Sequence, residues 1–418
     1  MRVPEELETA FKNGFQEILE RFAAEKGLIP EAGSLASERF LARSVIPHVQ
    51  KLSSLFNREE NEAGQGSGLE PYWKESSNPA NLRLAYFLSF MPCNLFRVAS
   101  IWSELGRLGF RWPADRPLNA IEFGAGPAAG ACGIAAGERF SALGLSKVGT
   151  WALIEQEKAV LQIGADWASH YFAELGFRDW GTRSFHRKIQ LNEGPQSGFL
   201  PRSAPRFNLW VASYFLNEFP ENSAELAESL VRSWDRHLDD EGLVIIVEPA
   251  LRAQSRRLLE VRRELLKIRE KRGIDWLQVL LPCLGHQACG ALESKEDWCH
   301  EEVSWWRPPY IRKIDEMAKL DRKTLPFSYL VIAKSLRPRD QILPALAGLG
   351  ERAHRLVSPA HLEGRDSEFF ICGKEGKRRA RYRAEGNTFE RGDILLGAEI
   401  RGDSQATRIE KMKGHLGK

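Results

Sequence analysis

Two glycines follow a short apolar segment and precede a run of small residues, a combination typical of a ligand-binding turn. Residues 121–130 read Ile-Glu-Phe-Gly-Ala-Gly-Pro-Ala-Ala-Gly. Glycine lets the backbone turn tightly and approach a ligand without a Cβ atom in the way. The N-terminus of the helix expected behind the turn favours an anionic group. The pattern predicts a ligand-binding strand–turn–helix, and a tight turn without a ligand stays open as the alternative.

A carboxylate ends the next apolar segment. Glu155 closes the segment 149–155, about 30 residues after the glycines. At the end of a second parallel strand, a carboxylate can accept hydrogen bonds from both ribose hydroxyls of a nucleoside. The form Glu-x-Gly-x-Gly-x-Ala resembles motif I of class I S-adenosylmethionine-dependent methyltransferases, with Ala128 at the usual place of the third glycine. The resemblance implies that S-adenosylmethionine contacts Glu122, Gly124, Gly126, Glu155 and Ser213.

The segment after the fourth predicted strand would face the reacting methyl group in such a protein. Residues 213–218 read Ser-Tyr-Phe-Leu-Asn-Glu, which is not the Asn/Asp-Pro-Pro-Tyr/Phe box that methylates exocyclic amines. The strand also lacks the Pro-Cys pair that methylation of a base at C5 would need. Asn217 and Glu218 are candidates either for substrate contacts or for a helix cap. No general base or nucleophile is evident, so the catalytic residues stay unassigned.

Four of the six cysteines form a second candidate site. Cys283, Cys289 and Cys299 lie within 17 residues, and Cys372 follows 73 residues later. Four thiolates suit zinc or an iron–sulfur cluster, and His286 or His300 could replace one of them. The spacings match neither a Cys-x2-Cys zinc ribbon nor a ferredoxin run, and unrelated buried cysteines stay open. Six cysteines in 418 residues are too few for a disulfide scaffold.

A strongly basic helix is predicted over residues 251–272, which hold nine basic and three acidic residues. At about 100° per residue the basic side chains share one face, opposite an apolar stripe. Such a helix could pack on the sheet and present its cations to phosphate, whereas a solvated face with local ion pairs is the alternative. The predicted RNA-binding residues of this helix are Arg252, Arg256, Arg263 and Lys267.

A second basic cluster directly follows Cys372 and is opposed only by Glu375. A hairpin at this position would present these basic side chains on a surface that RNA could contact. The neighbouring Trp298 could stack on an unpaired base or shield a cluster from water. The predicted RNA-binding residues of the cluster are Lys377, Arg378, Arg379, Arg381 and Arg383.

The elements that must position these residues change in type along the chain. Residues 1–112 show helical periodicity, with Leu7, Phe11 and Phe15 on one stripe and a Gly-rich loop at 62–68. Apolar strands are then predicted at 119–123, 149–155, 207–213 and 242–248, with helices at 129–140, 158–175 and 223–238 between them. Alternating strands and helices imply an α/β fold with a parallel sheet covered on both faces. The segments 327–333 and 368–372 could pair as the last strands of that sheet.

This pattern predicts a class I (Rossmann-like) methyltransferase sheet with an N-terminal helical domain and a cysteine-ligated insertion. We expect the helical domain over 1–112, the core over 113–373 with its cysteine region at 281–300, and a basic extension over 374–418. The chain has 59 Lys and Arg against 56 Asp and Glu, a net charge of +3, which excludes a uniformly basic nucleic-acid coat. No transmembrane run of about 18 apolar residues and no leader are evident, so we predict a cytoplasmic protein without a membrane partner.

The sequence around the cysteines resembles that of one protein family. Pro282-Cys-x-x-His-x-x-Cys289, then Asp-Trp-Cys-His at 297–300 and Phe-Ser-Tyr-Leu at 327–330, is similar to the methyltransferase-like family associated with the small ribosomal subunit. The similarity extends from about residue 86 to about residue 383. It implies a 4Fe-4S cluster, with zinc as the alternative, on Cys283, Cys289, Cys299 and Cys372. Leu284 and Gly290 depart from the family pattern, which commonly has a proline after each cysteine.

Two functions follow from these observations. The first is an S-adenosylmethionine-dependent methyltransferase that acts on the rRNA of the small ribosomal subunit or in assembly of that subunit. The second is a catalytically inactive assembly factor that grips rRNA, with a cluster that only stabilises the fold. The partners implied are small-subunit rRNA and, in addition, ribosomal proteins.

Overall fold

The structure of the protein is a computed structural model that describes residues 5–56, 78–113, 116–189, 191, 199–349, 352–363, 365–383, 389–402, 407–411 and 414–416. The predicted loop at 62–68 lies outside the described residues. Within them, the chain builds a layer of N-terminal helices, a central mixed sheet and a second, smaller sheet near the C-terminus.

The predicted N-terminal helices are confirmed. Leu7, Phe11 and Phe15 are buried along one stripe, as the periodicity requires. Their core continues without a break into one face of the central sheet, so the N-terminal segment is a layer of the fold. The helices are α1 (Glu5–Asn13), α2 (Phe15–Glu25), α3 (Glu38–Ser44), α4 (Ile46–Phe56), α5 (Pro79–Ser89) and α6 (Met91–Arg107).

Helices α5 and α6 form an apolar hairpin in this layer. Within the described residues, the stretch 79–107 is the one that by length and apolarity could cross a membrane, and 78% of its most apolar window is buried inside the protein. Glycines on the following helix let α6 approach closely. A Cβ on Gly133 would stand 2.6 Å from the carbonyl oxygen of Leu95, and one on Gly137 would stand 2.7 Å from the Cβ of Trp102. Burial against the core accounts for the apolar composition of the hairpin.

The central sheet has the strand order β3-β2-β1-β4-β5-β8-β6, with β7 paired to β8. Strands β1 to β5 pair in parallel, and β8 pairs antiparallel with β5 and β6. The order 3-2-1-4-5 is that of a Rossmann-like fold, so the predicted α/β class is confirmed. The strands are β1 (Leu118–Phe123), β2 (Val148–Glu155), β3 (Asp179–His186), β4 (Phe207–Ser213), β5 (Leu238–Glu248), β6 (Leu277–Leu281), β7 (Glu301–Ser304) and β8 (Thr324–Lys334).

Helices cover both faces of this sheet, because buried parallel strands need apolar neighbours on each side. Apolar residues of β1, β4 and β5 contribute to a separate cluster on each face. Short 3-10 helices span Ser34–Ala36, Leu216–Glu218, Gly290–Leu292 and Pro344–Leu346. The helices of this part are α7 (Ala129–Ser141), α8 (Lys158–Glu174), α9 (Ser223–His237), α10 (Arg252–Arg272), α11 (Pro309–Ala318) and α12 (Arg339–Ile342).

The second sheet corrects our prediction for the end of the core. Residues 327–333 belong to β8, but 368–372 belong to a strand of the second sheet, so the two segments do not share a sheet. Periodicity reports the strand and not its partner, which explains the error. The strands are β9 (His354–Leu356), β10 (His361–Glu363), β11 (Asp366–Gly373), β12 (Gly376–Arg383), β13 (Ile394–Leu396), β14 (Glu399–Arg401), β15 (Thr407–Lys411) and β16 (Gly414–Leu416).

This second sheet closes on itself into a barrel. The pairing path runs β14-β15-β12-β11-β9-β13-β16, and only residues 397–398 separate β13 from β14. Strands β13 and β14 are therefore halves of one bent strand, which pairs with β9 through β13 and with β15 through β14. Leu356, Phe369, Ile371 and Leu395 are buried in a core of their own inside it. Since β11 and β12 form a hairpin across the predicted boundary at 373/374, we propose that the C-terminal unit begins before β9.

A buried guanidinium joins the three parts of the chain. Arg355, on β9, is 2% exposed and pairs with the carboxylate of Glu104 on α6. Its Nε donates to the carbonyl of Pro282 at 2.8 Å, and its Nη1 to the carbonyl of Gly392 at 3.2 Å. The second oxygen of Glu104 accepts from the hydroxyl of Tyr329 at 2.6 Å. A charge removed from water needs such partners, so the network fixes the barrel against the core.

Replacing Arg355 by methionine should lower the free energy of unfolding by about 3–5 kcal/mol, because the change leaves the carboxylate of Glu104 buried without its cation. Urea unfolding followed by tryptophan fluorescence measures this loss. The matched control is Arg337→Met, since Arg337 pairs with Glu241 while 45% of its side chain is exposed. An exposed pair contributes about 0–1 kcal/mol. If both variants lost the same free energy of unfolding, the role of the buried Arg355 in fixing the barrel against the core would be contradicted.

Candidate functional site

The glycine turn lies between β1 and α7 and has left-handed backbone at three positions. Gly124 has φ +60° and Gly126 has φ +51°, which glycine adopts without strain. A Cβ on Gly124 would stand 2.9 Å from the ring of Phe215. Ala128, at the place of the usual third glycine, also has φ +59° and donates its N–H to the carbonyl of Ala125 at 2.7 Å. The turn therefore keeps its shape without the third glycine.

Glu122 lies behind the turn and holds the start of α7, and its contact with a cofactor stays a prediction. Its two carboxylate oxygens accept the N–H groups of Gly130 and Ala131 at 2.8 and 2.9 Å. The side chain is 1% exposed. Burial raises its pKa to about 8, and the two N–H donors offset part of that rise. A Cβ on Gly130 would stand 2.6 Å from this carboxylate, so Gly130 is needed for the contact.

Glu155 ends β2 and reaches the turn itself. Its Oε2 accepts the N–H of Gly126 at 3.0 Å, and its Oε1 accepts those of Gln156 and Glu157 at 2.8 and 2.9 Å. Burial raises the pKa of this carboxyl, and the three N–H donors lower it. Each carboxylate oxygen has two lone pairs, so Oε2 keeps acceptor capacity beside Gly126. The structure brings Glu155 and the glycine turn together at the carboxyl end of the sheet.

The loop after β4 is held by a carboxylate that the sequence analysis did not single out. Glu248, at the end of β5, accepts the N–H groups of Phe215 and Leu216 through Oε1 at 3.2 and 2.8 Å. Tyr214 has φ +58° at the start of this loop. The buried hydroxyl of Ser213 has no hydrogen-bond partner among the described residues. The position of Glu248 at a strand end is the sequence signal that could have found it.

The predicted substrate residues lie on the same loop. Asn217 and Glu218 fall in the 3-10 helix Leu216–Glu218, which precedes α9. The capping residue of α9 is Asn222, whose side chain accepts the N–H groups of Ala224 and Glu225. Neither Asn217 nor Glu218 is therefore the cap of that helix, and the structure leaves Glu218 exposed.

Tyr86, from α5, lies over the glycine turn. A Cβ on Gly126 would stand 3.6 Å from Cε1 of Tyr86. The rings of Phe56 and Phe90 pack on Tyr86 at centroid distances of 6.3 and 6.0 Å. Burial and the nearby carboxylate of Glu155 raise the pKa of Tyr86, so its phenol stays protonated at neutral pH. The N-terminal helices thus cover the edge of the sheet that carries the turn.

The four cysteines of the second candidate site come from two parts of the fold. Cys283, Cys289 and Cys299 lie on the segment between β6 and β7, and Cys372 lies on β11 of the barrel. Burial raises the pKa of Cys372 to about 12, and the thiols of Cys283 and Cys289 add to that rise. All three other thiols likewise raise the pKa of Cys299. The sequence separation of Cys372 is therefore bridged by the packing of the barrel on the core.

No group of three or more His, Cys, Asp or Glu side chains within the described ranges is set closely enough to hold a metal ion. His286 instead accepts the N–H of Val279 through Nε2 at 3.2 Å. The ring of His300 stacks on that of Trp298 at 6.0 Å. The two histidines are thus engaged with β6 and with an aromatic neighbour.

Arginines that the sequence analysis did not single out surround the cysteine segment. Arg262 is 1% exposed and donates to the carbonyls of Gly285 and Gln287 at 2.8 and 3.1 Å. Arg339 donates to the carbonyl of Cys283 at 2.5 Å. The Nε atoms of Arg262 and Arg339, and Nη1 of Arg339, are buried without hydrogen-bond partners among the described residues. Burial lowers the pKa of Arg339 to about 10, and the Cys283 thiol opposes this. The site is therefore electrostatically suited to an anionic thiolate centre.

The basic side chains of α10 make contacts within the protein, and their role in RNA binding stays a prediction. Arg256 points to the cysteine segment and donates to the carbonyls of Ser294 and Asp297, each at 2.6 Å. Arg252 pairs with Glu296 at 2.8 Å. Arg263 and Lys267 both contact the carboxylate of Glu264, and their side chains are 48% and 62% exposed. The opposite stripe is buried as predicted, at Leu258, Val261, Leu265 and Ile268.

The second basic cluster lies on β12 and alternates between the two faces of the barrel wall. Arg378 is opposite the buried Ile371 in the strand register and pairs with Glu375. It therefore lies on the other face of the strand from Lys377, Arg379 and Arg381. Lys377 pairs with Asp297 at 2.5 Å. Arg379 and Arg381 both contact Glu368 on the neighbouring strand β11. The sequence did not reveal this pairing of β11 with β12. Arg383 ends the strand and is exposed.

Solved structures to which the chain is similar are methyltransferases. A SAM-dependent O-methyltransferase from Thermotoga maritima is 12% identical over 58% of this chain and 66% of that chain, with a TM-score of 0.30. A methyltransferase from Geobacter sulfurreducens is 14% identical over 35% and 58%, with a TM-score of 0.22. The O-methyltransferase from Bacillus cereus in complex with SAH is 10% identical over 78% and 100%, with a TM-score of 0.27. The chain spans less than two thirds of the first two, and the fold assignment rests on the strand order.

No curated protein matches the chain. A family model described as "Mitochondrial small ribosomal subunit Rsm22" matches residues 82–392. The match includes the glycine turn, Glu155, all four cysteines of the second site and strands β9 to β12 of the barrel. More than half of the chain is covered, and the chain therefore belongs to the mitochondrial small ribosomal subunit Rsm22 family.

Proposed function

We propose that this protein binds S-adenosylmethionine and rRNA and acts on the small ribosomal subunit, in its assembly or in methylation of its rRNA. The observation that carries the proposal is the glycine turn joined to Glu155 at the carboxyl end of a Rossmann-like sheet. The family match supplies the ribosomal part of the proposal. The implied partners are small-subunit rRNA and ribosomal proteins, and a cytoplasmic location stays a prediction.

The residues of the turn fit the methyl donor. Gly124 and Gly126 adopt the left-handed backbone of the turn without strain, and the carboxylate of Glu155 can accept the ribose hydroxyls. The hydroxyl of Ser213 is a buried group without a described partner, and a bound ligand would satisfy it. When bound, S-adenosylmethionine supplies an electrophilic methyl group. The residues of this chain contribute binding and orientation of the two reactants.

A binding role without turnover is the second candidate function, and one observation favours it. Tyr86 and the stacked ring of Phe90 lie over the turn at which a methyl acceptor would have to arrive. Transfer of tritium from labelled S-adenosylmethionine to small-subunit particles that lack the protein separates the two roles. Labelled rRNA supports the methyltransferase, and donor binding without labelling supports the assembly factor.

Replacing Glu155 by alanine should weaken binding of S-adenosylmethionine about tenfold to a hundredfold, because hydrogen bonds to a charged group contribute about 1.5–3 kcal/mol. Isothermal titration calorimetry measures this change. The control is Glu157→Ala, since Glu157 lies two residues further along the chain and pairs with Arg83 at 3.4 Å. If Glu155→Ala bound the donor as tightly as the wild type, the proposed ribose contact would be wrong.

We propose that the four cysteines hold a metal centre that staples the barrel to the core. Resemblance of the segment 281–300 to the ribosome-associated family favours a 4Fe-4S cluster on Cys283, Cys289, Cys299 and Cys372, and zinc is the alternative. The buried nitrogens of Arg262 and Arg339 support the proposal, since a thiolate-ligated centre is anionic and would compensate them. Such a centre would supply stability to the fold.

Protein purified without oxygen should contain about four irons per chain and absorb broadly near ~400 nm. Changing Cys299 to serine should remove the iron and lower the thermal unfolding midpoint, because metal binding contributes to folding free energy. Cys132→Ala is the matched control, because Cys132 is buried on α7 and outside the site. Zinc in place of iron would select the alternative centre, and a metal-free wild type would contradict both.

A further inference from the structure

The pairing of the C-terminal barrel is that of a known nucleic-acid-binding architecture. Strand β9 pairs with β11, β11 with β12, β12 in parallel with β15, and the bent strand β13–β14 with both β15 and β9. Numbered within the barrel, the order is 1-2-3-5-4-1, which is the closed Greek key of the OB-fold. OB-folds bind oligonucleotides across the outer face of their second and third strands, which here are β11 and β12.

That outer face carries an exposed aromatic ring beside exposed guanidinium groups. Phe370 on β11 is 41% exposed, whereas its chain neighbours Phe369 and Ile371 are buried. Its partner in the strand register is Arg379, whose side chain is 50% exposed. Arg381 lies two residues along the same face and is 48% exposed. Arg408 on β15 is the register neighbour of Arg381 and is 58% exposed.

The charges of this face are held in place by carboxylates. The single carboxylate of Glu368 contacts both Arg379 and Arg381, and Arg408 contacts Asp366 at 3.6 Å. A guanidinium has five N–H donors, so a shared carboxylate leaves donors of Arg379 to a phosphate. The ammonium of Lys377 lies over the ring, 4.8 Å from the centroid of Phe370, and pairs with Asp297. The ring is therefore framed by fixed cations.

The chemistry of this surface fits unpaired RNA better than a duplex. An aromatic face can stack only on a base whose own face is accessible, and a duplex buries those faces between neighbouring pairs. Guanidinium groups at strand spacing can follow a phosphate backbone. Trp298, next to Asp297 in the cysteine segment, is a second aromatic side chain that is 36% exposed. An acidic peptide would engage the arginines but would leave Phe370 without a stacking partner.

We propose that single-stranded RNA binds across β11 and β12, with one base stacked on Phe370 and phosphates on Arg379 and Arg381. The inference rests on the proposed rRNA-binding function and adds the surface and the unpaired form of the ligand. It also separates RNA contact from the donor site, because Phe370 belongs to the barrel and Glu155 to the central sheet.

The test uses fluorescence anisotropy of the full chain with fluorescein-labelled oligouridine about 12 nucleotides long, and with an RNA duplex of the same length. Phe370→Ala should weaken oligouridine binding about tenfold, the loss of one stacked base, and leave its salt dependence unchanged. Phe370→Tyr should retain the affinity. Arg379→Ala with Arg381→Ala should instead lower the slope of log affinity against log salt by about 1.4, for two phosphate contacts on a single strand.

The matched control is Phe185→Ala, because Phe185 is 45% exposed on β3 of the central sheet. Binding of S-adenosylmethionine by Phe370→Ala should equal that of the wild type, which checks folding. The inference is overturned if Phe370→Ala binds oligouridine as tightly as the wild type does, or if the wild type binds the duplex as tightly as oligouridine. If the wild type still binds small-subunit rRNA, either outcome leaves the proposed rRNA-binding function intact. A wild type that binds no RNA overturns the proposed rRNA-binding function as well.

Discussion

The buried cation of Arg355 is the constraint on which the arrangement of this protein depends. A guanidinium removed from water costs several kcal/mol unless its donors are satisfied. Here the partners come from a helix of the N-terminal layer, from the cysteine segment and from the barrel. Cys372 is the register neighbour of Arg355 on the adjacent strand, so the contact that satisfies the charge also brings the fourth thiol to the other three. Docking of the barrel and assembly of the cysteine site are thus one packing event.

A second rule governs the carboxyl edge of the central sheet. Glu122, Glu155 and Glu248 end three parallel strands, and each accepts N–H groups of the loop or helix that follows a strand. Buried carboxylates are stable only with such donors, and loops tied in this way keep left-handed residues such as Gly126 and Tyr214 in place. The loops of this edge are held by hydrogen bonds within the protein, and such preorganisation favours the proposed binding of a nucleoside.

The two candidate sites have opposite electrostatic character, and this favours separate tasks. The edge of the sheet is lined by carboxylates beneath an aromatic cover, whereas the cysteine segment is enclosed by Arg256, Arg262 and Arg339. The first arrangement suits a cationic methyl donor, and the second suits an anionic centre. The exposed arginines of β12 lie beside the second site, so the proposed RNA contact and the proposed staple share one face of the barrel.

The sequence by itself determined the features that depend on neighbouring residues. Apolar periodicity located β1, β2, β4 and β5 and the buried stripe of α10, and the spacing of Gly124 and Gly126 predicted the turn, because dihedral preference and burial patterns are local. Tertiary structure alone decided where partners came from. It placed residues 368–372 in a barrel and directed Arg256 towards carbonyl groups. It also brought the carboxylate of Glu122 to the N–H groups at the start of α7, and that of Glu368 to both Arg379 and Arg381. Ion pairs and hydrogen bonds join groups that are far apart in the chain, and no periodicity records which acceptor a buried donor will meet.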